Sequence, residues 1–437
     1  MPITKGLLKR IGLWALFLTL ASLALVGLLS ITRGTPVRRV VAIDRSRALP
    51  AVSDSSFSRA VEVLAGIDLD PGNRVDLLAN GDSTYPRLWA DIDRARQTLT
   101  VQWYYAQPGT MADSFATHVV ARARAGVKVL LVMDAFGAQN LRDTPWDSTL
   151  VAAGVRLAWL RPVHWYSLHK ANFRSHARAL VVDGRVGYTG GYGLADYWWG
   201  DGRTEGEWRE MNVRVEGPAV IQIQAAFAAA WAEATGELLS GDLFFPRIPP
   251  AADASMAAGL LYAVPTTGST NAERFMALSI ASARQRLWIA NSYFVPDDDF
   301  RNLLMDAARR GVDVRILTAG EATDIKSTLW AGRARYEELL ETGVRVYEYV
   351  PSMMHAKTFV IDGLWSTVGS LNFDNRSLAF NNETNFVVLD RAFGAEMERL
   401  YLEDLGHSDE ITLAEHRRRG FRARVFETGA NLLSRLL

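Results

Sequence analysis

HARALVVDGRVGYTGG, residues 176–191, and HAKTFVIDGLWSTVGSLN, residues 355–372, are two copies of one pattern. In each, a histidine, a cation, an aspartate and a glycine stand at offsets 0, 2, 7 and 14. The set is His176, Arg178, Asp183 and Gly190 in the first copy and His355, Lys357, Asp362 and Gly369 in the second. Each copy reads as two apolar strands separated by Asp-Gly, the signal of a tight hairpin. Side chains alternate faces along a strand, so each His shares a face with the cation two residues on, while the Asp falls on the other face or past the strand end. Read from the residues alone, Asp183 and Asp362 are turn residues that do not touch the His of their own strand.

Working outward, the similarity extends over residues 80–215 and 268–388. IDRARQTLTV (92–101) answers IASARQRLWI (280–289), each the end of an amphipathic helix entering an apolar strand. RARAGVKVLLVMD (122–134) answers AARRGVDVRIL (307–317), and AAGVRLAWL (152–160) answers ETGVRVYEY (341–349). In these a helix stops at a glycine and a β-branched strand follows. A repeat of this length decides architecture. It predicts an α/β protein of two pseudo-symmetric lobes, each a central β-sheet flanked by helices, over residues 72–245 and 246–410. Downstream of each motif, EMNVRV begins at Glu210 and ETNFVV at Glu383. These glutamates are the candidates for orienting the histidines, because a carboxylate that accepts the proton of one ring nitrogen leaves the other free to attack or donate.

The 437 residues are ample for two or three domains, and 49% hydrophobic with 22% charged residues excludes a disordered chain and a polytopic membrane protein. Lys plus Arg equals Asp plus Glu at 48 each, which weighs against the basic footprint of a nucleic-acid binder, so no nucleic-acid partner is expected. The absence of cysteine excludes disulfides, thiolate zinc sites and a cysteine nucleophile. Ile11–Ile31, IGLWALFLTLASLALVGLLSI, is 21 residues without a charge, about 31 Å as a helix. It ends without a small-residue cleavage site, so residues 1–33 are predicted to be an uncleaved transmembrane anchor. Lys and Arg flank it on both sides and leave its orientation open. Residues 34–71, with Pro36, Pro50, Pro71 and SDSSFS, read as a linker, and residues 411–437 as a basic amphipathic tail.

The site inventory is two His, Arg178, Lys357, Asn372 and the Gly-Ser turn at Ser370, with no Asp, Glu, His or Cys cluster at metal-ligand spacing. It suits phosphoryl chemistry without a metal or other cofactor. Cations and amides stabilise charge growing on phosphate oxygens, while one imidazole attacks phosphorus and the other protonates the leaving oxygen. The other five histidines, His118, His164, His169, His407 and His416, have no such pairing and read as surface or loop residues.

These residues resemble the phospholipase D superfamily, whose signature is H-x-K-x4-D followed by a Gly-Ser turn and an Asn. The second copy, HAKTFVIDGLWSTVGSLNFDNRSLAFNNE, matches it through Asn372, Arg376, Ser377, Asn381 and Glu383. Within the superfamily the chain looks most like the bacterial cardiolipin synthases, over about residues 72–430, with WREMNVRVEGPAV carrying Glu210 where that family more often has Asp. The resemblance implies a catalytic set of His176, Arg178, Asp183, His355, Lys357 and Asp362, with Asn372, Ser370, Glu210 and Glu383 in support. It implies a phosphatidyl group that moves from phosphatidylglycerol to a histidine and then to an alcohol, with the chain on the bacterial cytoplasmic membrane. If the superfamily roles hold, His176 is the nucleophile and His355 the acid and then the base. Two departures stand out: Arg178 replaces the family's Lys, and Gly191 and Gly193 replace what the second copy has as Ser370 and Asn372. The other readings are a hydrolytic or head-group-exchanging enzyme, a nuclease, and a lipid-binding pseudoenzyme permitted by Arg178. The aromatic run Tyr197, Trp198, Trp199 and the tail are expected to face lipid.

Overall fold

The computed structural model describes residues 5–31, 37–41, 49–163, 172–266, 268–432 and 434. His164 and His169 lie outside them. Eight strands belong to the first lobe: β1 (Asp70–Ala79), β2 (Thr98–Trp103), β3 (Lys128–Asp134), β4 (Arg156–Leu160), β5 (Ala179–Val182), β6 (Val186–Gly190), β7 (Trp208–Arg209) and β8 (Met211–Glu216). The second lobe has β9 (Met256–Ala263), β10 (Arg286–Asn291), β11 (Asp313–Ala319), β12 (Arg345–Tyr349), β13 (Met353–Met354), β14 (Lys357–Ile361), β15 (Trp365–Gly369), β16 (Glu383–Leu389) and β17 (Ser408–Ile411).

The strand order is the same in both lobes. The first runs β1-β8-β6-β5-β2-β3-β4 and the second β9-β16-β15-β14-β10-β11-β12, with β17 added at the outer edge. In each, β2–β3–β4 or β10–β11–β12 is parallel and linked by helical crossovers, while the motif hairpin pairs antiparallel beside it. The glycines expected to stop the crossover helices do so in the left-handed conformation, Gly126 at φ +91° and Gly311 at +88°. β1 and β9 pair antiparallel and fuse the two halves into one continuous 15-stranded sheet.

Among the described residues, three large apolar cores hold this arrangement. One lies under the helices Asn80–Arg94 and Thr110–Arg124 of the first lobe, with Ile92, Val101 and Phe115 at its centre. A second lies under Asn271–Ser282 and Asp298–Arg309 of the second lobe. The third is shared, joining Phe227 and Trp231 of the helix Val220–Thr235 to Trp288, Phe386 and Tyr401. Burial of one face of each sheet by both lobes is what makes the halves a single body.

Two expectations about the chain's ends are corrected. Residues 50–67 are not a peripheral linker: Val52, Phe57, Val61, Ala65 and Ile67 are buried in the second-lobe core, because a short helix, Ser55–Val61, turns its apolar side inward. The edge strand β17 precedes the tail, which then buries His416 against Tyr336, so that histidine is no surface residue. His118 is half-buried and bonded to Asp93, and His407 is exposed. At the N-terminus a helix runs Lys5–Ile31, over the predicted anchor. Side chains of residues 26–31 lie outside the described set, and among the described residues no helix is long and apolar enough to cross a membrane.

Candidate active site

His176 and His355 each sit just before the first strand of a motif hairpin, β5 or β14, and both are buried. What fixes them comes from the opposite lobe. Ser175 forms a parallel bridge with Asn382, and β7 pairs parallel with β13 so that Met354 lies beside Arg209. In both places, the residue before a histidine is paired with the residue before the other lobe's glutamate. The carboxylates therefore cross over: Glu383 Oε2 lies 2.9 Å from His176 Nδ1, and Glu210 Oε2 lies 2.5 Å from His355 Nδ1. The sequence placed the glutamates downstream of each motif, but a linear repeat carries no sign that each serves the other copy.

The tautomer of His176 follows from its partners. Nδ1 also lies 3.1 Å from the Ser370 carbonyl oxygen, which can only accept, so Nδ1 carries the proton and Nε2 keeps its lone pair. The cations take equivalent positions. Arg178 Nη1 donates to the His176 carbonyl at 2.5 Å, and Lys357 Nζ donates to the His355 carbonyl. Arg178 Nε also donates to Tyr192 O at 3.1 Å, and its guanidinium lies 5.6 Å from the centre of the Tyr104 ring. Tyr104 in turn meets His176 edge-on at 4.7 Å.

Electrostatically the two half-sites are one. Burial, then the Arg178 and Lys357 charges, push His176 well below the ordinary imidazole range. Burial, then Lys357, Arg178 and His176, do the same to His355. Burial brings Lys357 down to about 7 and Glu383 up to about 7, and raises Glu210. Arg178 and Lys357 share the two buried glutamates as counter-charges, and a set of buried cations and imidazoles of this kind suits a phosphodiester anion.

Asn372 is buried here and accepts from Ser292 Oγ at 2.9 Å through Oδ1, which leaves its amide N–H group as the donor that a phosphate oxygen can use. Ser370 spends its hydroxyl on Glu383 Oε2 at 2.5 Å, so it braces the carboxylate. Among the described residues no group of three His, Cys, Asp or Glu side chains is placed to hold a metal.

Asp183 and Asp362 are not in this site. Both take positive φ, +52° and +53°, at the motif hairpins. Asp183 accepts from the backbone N–H groups of Arg96, Gln97 and Thr98 at 2.7–2.9 Å, and Asp362 from those of Arg284, Gln285 and Arg286 at 2.7–3.0 Å. Their catalytic assignment is corrected: they staple the hairpin tip to the start of β2 and β10, as turn residues do. Sequence reasoning missed the aromatic wall around His355, where Trp208 lies at 4.7 Å, Trp198 at 5.4 Å and Tyr293 at 6.4 Å between ring centres. It also missed the buried Arg209–Asp404 ion pair at 2.8 Å, whose Arg Nη1 donates to the Glu210 carbonyl at 2.7 Å. Of the aromatic run expected to face lipid, Trp198 is 2% exposed and packs inward, Tyr197 is half-buried, and Trp199 is 46% exposed.

The family model described as cardiolipin synthase, PLD-like domain, matches residues 88–231 and 276–405. A cardiolipin synthase of Geobacillus kaustophilus is 32% identical over 363 residues, covering 83% of this chain and 72% of that protein. Cardiolipin synthase A of Pseudomonas putida is 31% identical over 368 residues, covering 84% and 76%. Among solved structures, phosphatidylserine synthase of Haemophilus influenzae superposes with a TM-score of 0.62 over 88% of this chain and all of that one, at 12% identity, a likeness of fold.

Proposed function

The chain belongs to the phospholipase D-like cardiolipin synthase family, and on that footing we propose that it is a phosphatidyltransferase that makes cardiolipin from two molecules of phosphatidylglycerol through a phosphohistidine. The observation that carries the reading is the pair of crossed His–Glu contacts, with the Arg178 and Lys357 charges acting on both imidazoles. His176 Nε2 attacks phosphorus, the bond from phosphorus to the departing glycerol oxygen breaks, and His355 gives that oxygen a proton. The bound phosphodiester offsets the two cations, and so raises the affinity of His355 for the proton it must hold. In the second half, His355 takes the proton of an incoming glycerol hydroxyl, whose oxygen attacks phosphorus as the N–P bond breaks. Arg178, Lys357 and the Asn372 amide stabilise the charge on the equatorial oxygens.

Membrane association is part of the proposal. The uncharged run Ile11–Ile31 supports a single N-terminal anchor in the bacterial cytoplasmic membrane. The C-terminal helix Phe421–Leu432 packs on Val295 and Ala331 through Ala430, while Phe421, Val425 and Leu432 stay exposed at helical spacing beside Arg418 and Arg422. Expression in a host deleted for its own cardiolipin synthases tests the whole reading. Cardiolipin should appear, and should disappear with His176→Ala or His355→Ala. Phosphatidic acid or another phosphatidyl-alcohol as the product would favour hydrolysis or head-group exchange instead. An unchanged lipid profile would sink it.

A further inference from the structure

The two half-sites are not equal, and the difference sits at Gly191 and Gly193. In the second lobe Glu383 Oε2 is shared by two donors, His176 Nδ1 and the Ser370 hydroxyl. Position 191 offers no hydroxyl, and the Glu210 carboxylate lies where its side chain would begin. A Cβ there would stand 2.5 and 2.6 Å from the two Glu210 carboxylate oxygens, so the carboxylate already fills the volume a serine would take. At position 193 a Cβ would stand 2.7 Å from the ring of Trp198, so the indole fills the volume an asparagine would take. The same indole turns its Nε1–H to Glu210 Oε2 at 3.3 Å, the oxygen that faces His355, and its ring meets His355 at 78°. The other oxygen, Oε1, accepts from the Met211 backbone N–H at 2.9 Å.

We infer that Trp198 is a positioning residue of the His355 half-site, its indole N–H doing for Glu210 what the Ser370 hydroxyl does for Glu383. Both donors are directed at the same oxygen as the imidazole. A carboxylate held from two sides keeps one orientation, and with it the tautomer of the histidine it serves. The substitution has a second effect. With Gly193 in place of an amide, the donors for the phosphate oxygens are the Asn372 amide and the two cations, and the surroundings of His355 become an aromatic wall. The exchange of a hydroxyl and an amide for one indole in the first lobe surrounds His355 of the second with apolar rings.

The inference rests on the proposed transferase reaction, and the test separates the two. Trp198→Phe in the full-length protein keeps a ring opposite Gly193 and removes the N–H. With phosphatidylglycerol in mixed micelles, kcat should fall about ten-fold, the scale of one lost hydrogen bond to a charged group, with KM unchanged. The groups that face Glu210 are His355, Lys357, Arg178, Arg209, Tyr85, the Met211 backbone N–H and Trp198, and only the last changes. Loss of a donor to the carboxylate makes it easier to protonate, so the acid limb of the kcat profile should move to higher pH. Trp199→Phe, on the exposed neighbour, should match the parent. A parental kcat and acid limb in Trp198→Phe would overturn the assignment. A fall in kcat matched by an equal fall in the folded fraction would also overturn it, since packing would then account for the loss. An inert parent would instead overturn the functional reading. Trp198 would then be judged by the titration of His355 followed by NMR, where an unchanged curve in Trp198→Phe refutes its role.

Discussion

Replacing Asp362 by Ala should cost stability and spare catalysis. The carboxylate accepts three backbone N–H groups, from Gln285 at 2.7 Å, Arg286 at 2.8 Å and Arg284 at 3.0 Å, at a half-exposed hairpin tip. At about 1 kcal/mol each, the value of an ordinary hydrogen bond and below that of a buried charged one because water reaches the site, their loss amounts to about 3 kcal/mol. The residue also holds φ +53°, where Ala is disfavoured by about 1 kcal/mol and Asn much less. The expected total is about 4 kcal/mol for Asp362→Ala and about half that for Asp362→Asn, whose amide oxygen can still accept. Urea denaturation followed by fluorescence measures the first quantity. Turnover per folded molecule, measured well below the midpoint, gives the second and should stay within about two-fold of the parent, far from the losses of a removed oxyanion donor. Asp183 should behave alike, since its three partners repeat the pattern. A variant of parental stability whose turnover drops a hundred-fold or more would refute the staple and return the aspartates to the reaction.

Three further outcomes follow from the site. Arg178→Lys should retain much of the activity, because Lys357 shows that an ammonium at the matching position reaches its histidine's carbonyl. Arg178→Ala should lose about 10²- to 10³-fold in kcat, and an Ala variant as active as the parent would remove Arg178 from the site. Burial brings the free-enzyme Lys357 to about 7, so kcat/KM should decline as pH rises through that value and the ammonium loses its proton. Lys357→Arg keeps the charge and should shift that limb upward by more than one unit, while a limb that stays in place would assign it to another group. Strong chelation should leave turnover intact, because Arg178, Lys357 and Asn372 are present to meet the phosphate charge. Loss in chelator with recovery on one divalent ion would contradict this.

Much of the fold was legible because it is written twice. Helix, glycine stop and strand recur at Gly126 and Gly311, and the Asp-Gly hairpins and the downstream glutamates recur in register, so the order of elements in one lobe could be checked against the other. What a single sequence does not carry is which copy meets which. The crossing of Glu210 to His355 and Glu383 to His176 depends on the bridges between residues 175 and 382 and between β7 and β13, contacts more than 140 positions apart. Trp198 misled for a related reason. Among neighbouring aromatics it reads as a lipid-facing surface, and only the void opposite Gly193 explains why this ring turns inward while Trp199 stays out. The segment at Phe57 reads as linker because a helix of seven residues gives too little periodicity to reveal an apolar face.

The crossed bracing also couples the two imidazoles. Since each lobe supplies the brace for the other's imidazole, any rotation that parts the lobes loosens both histidines at once. The two half-sites therefore hold or fail together, and a change that weakens the pairing of residues 175 and 382 or of β7 and β13 disturbs both imidazoles in one step.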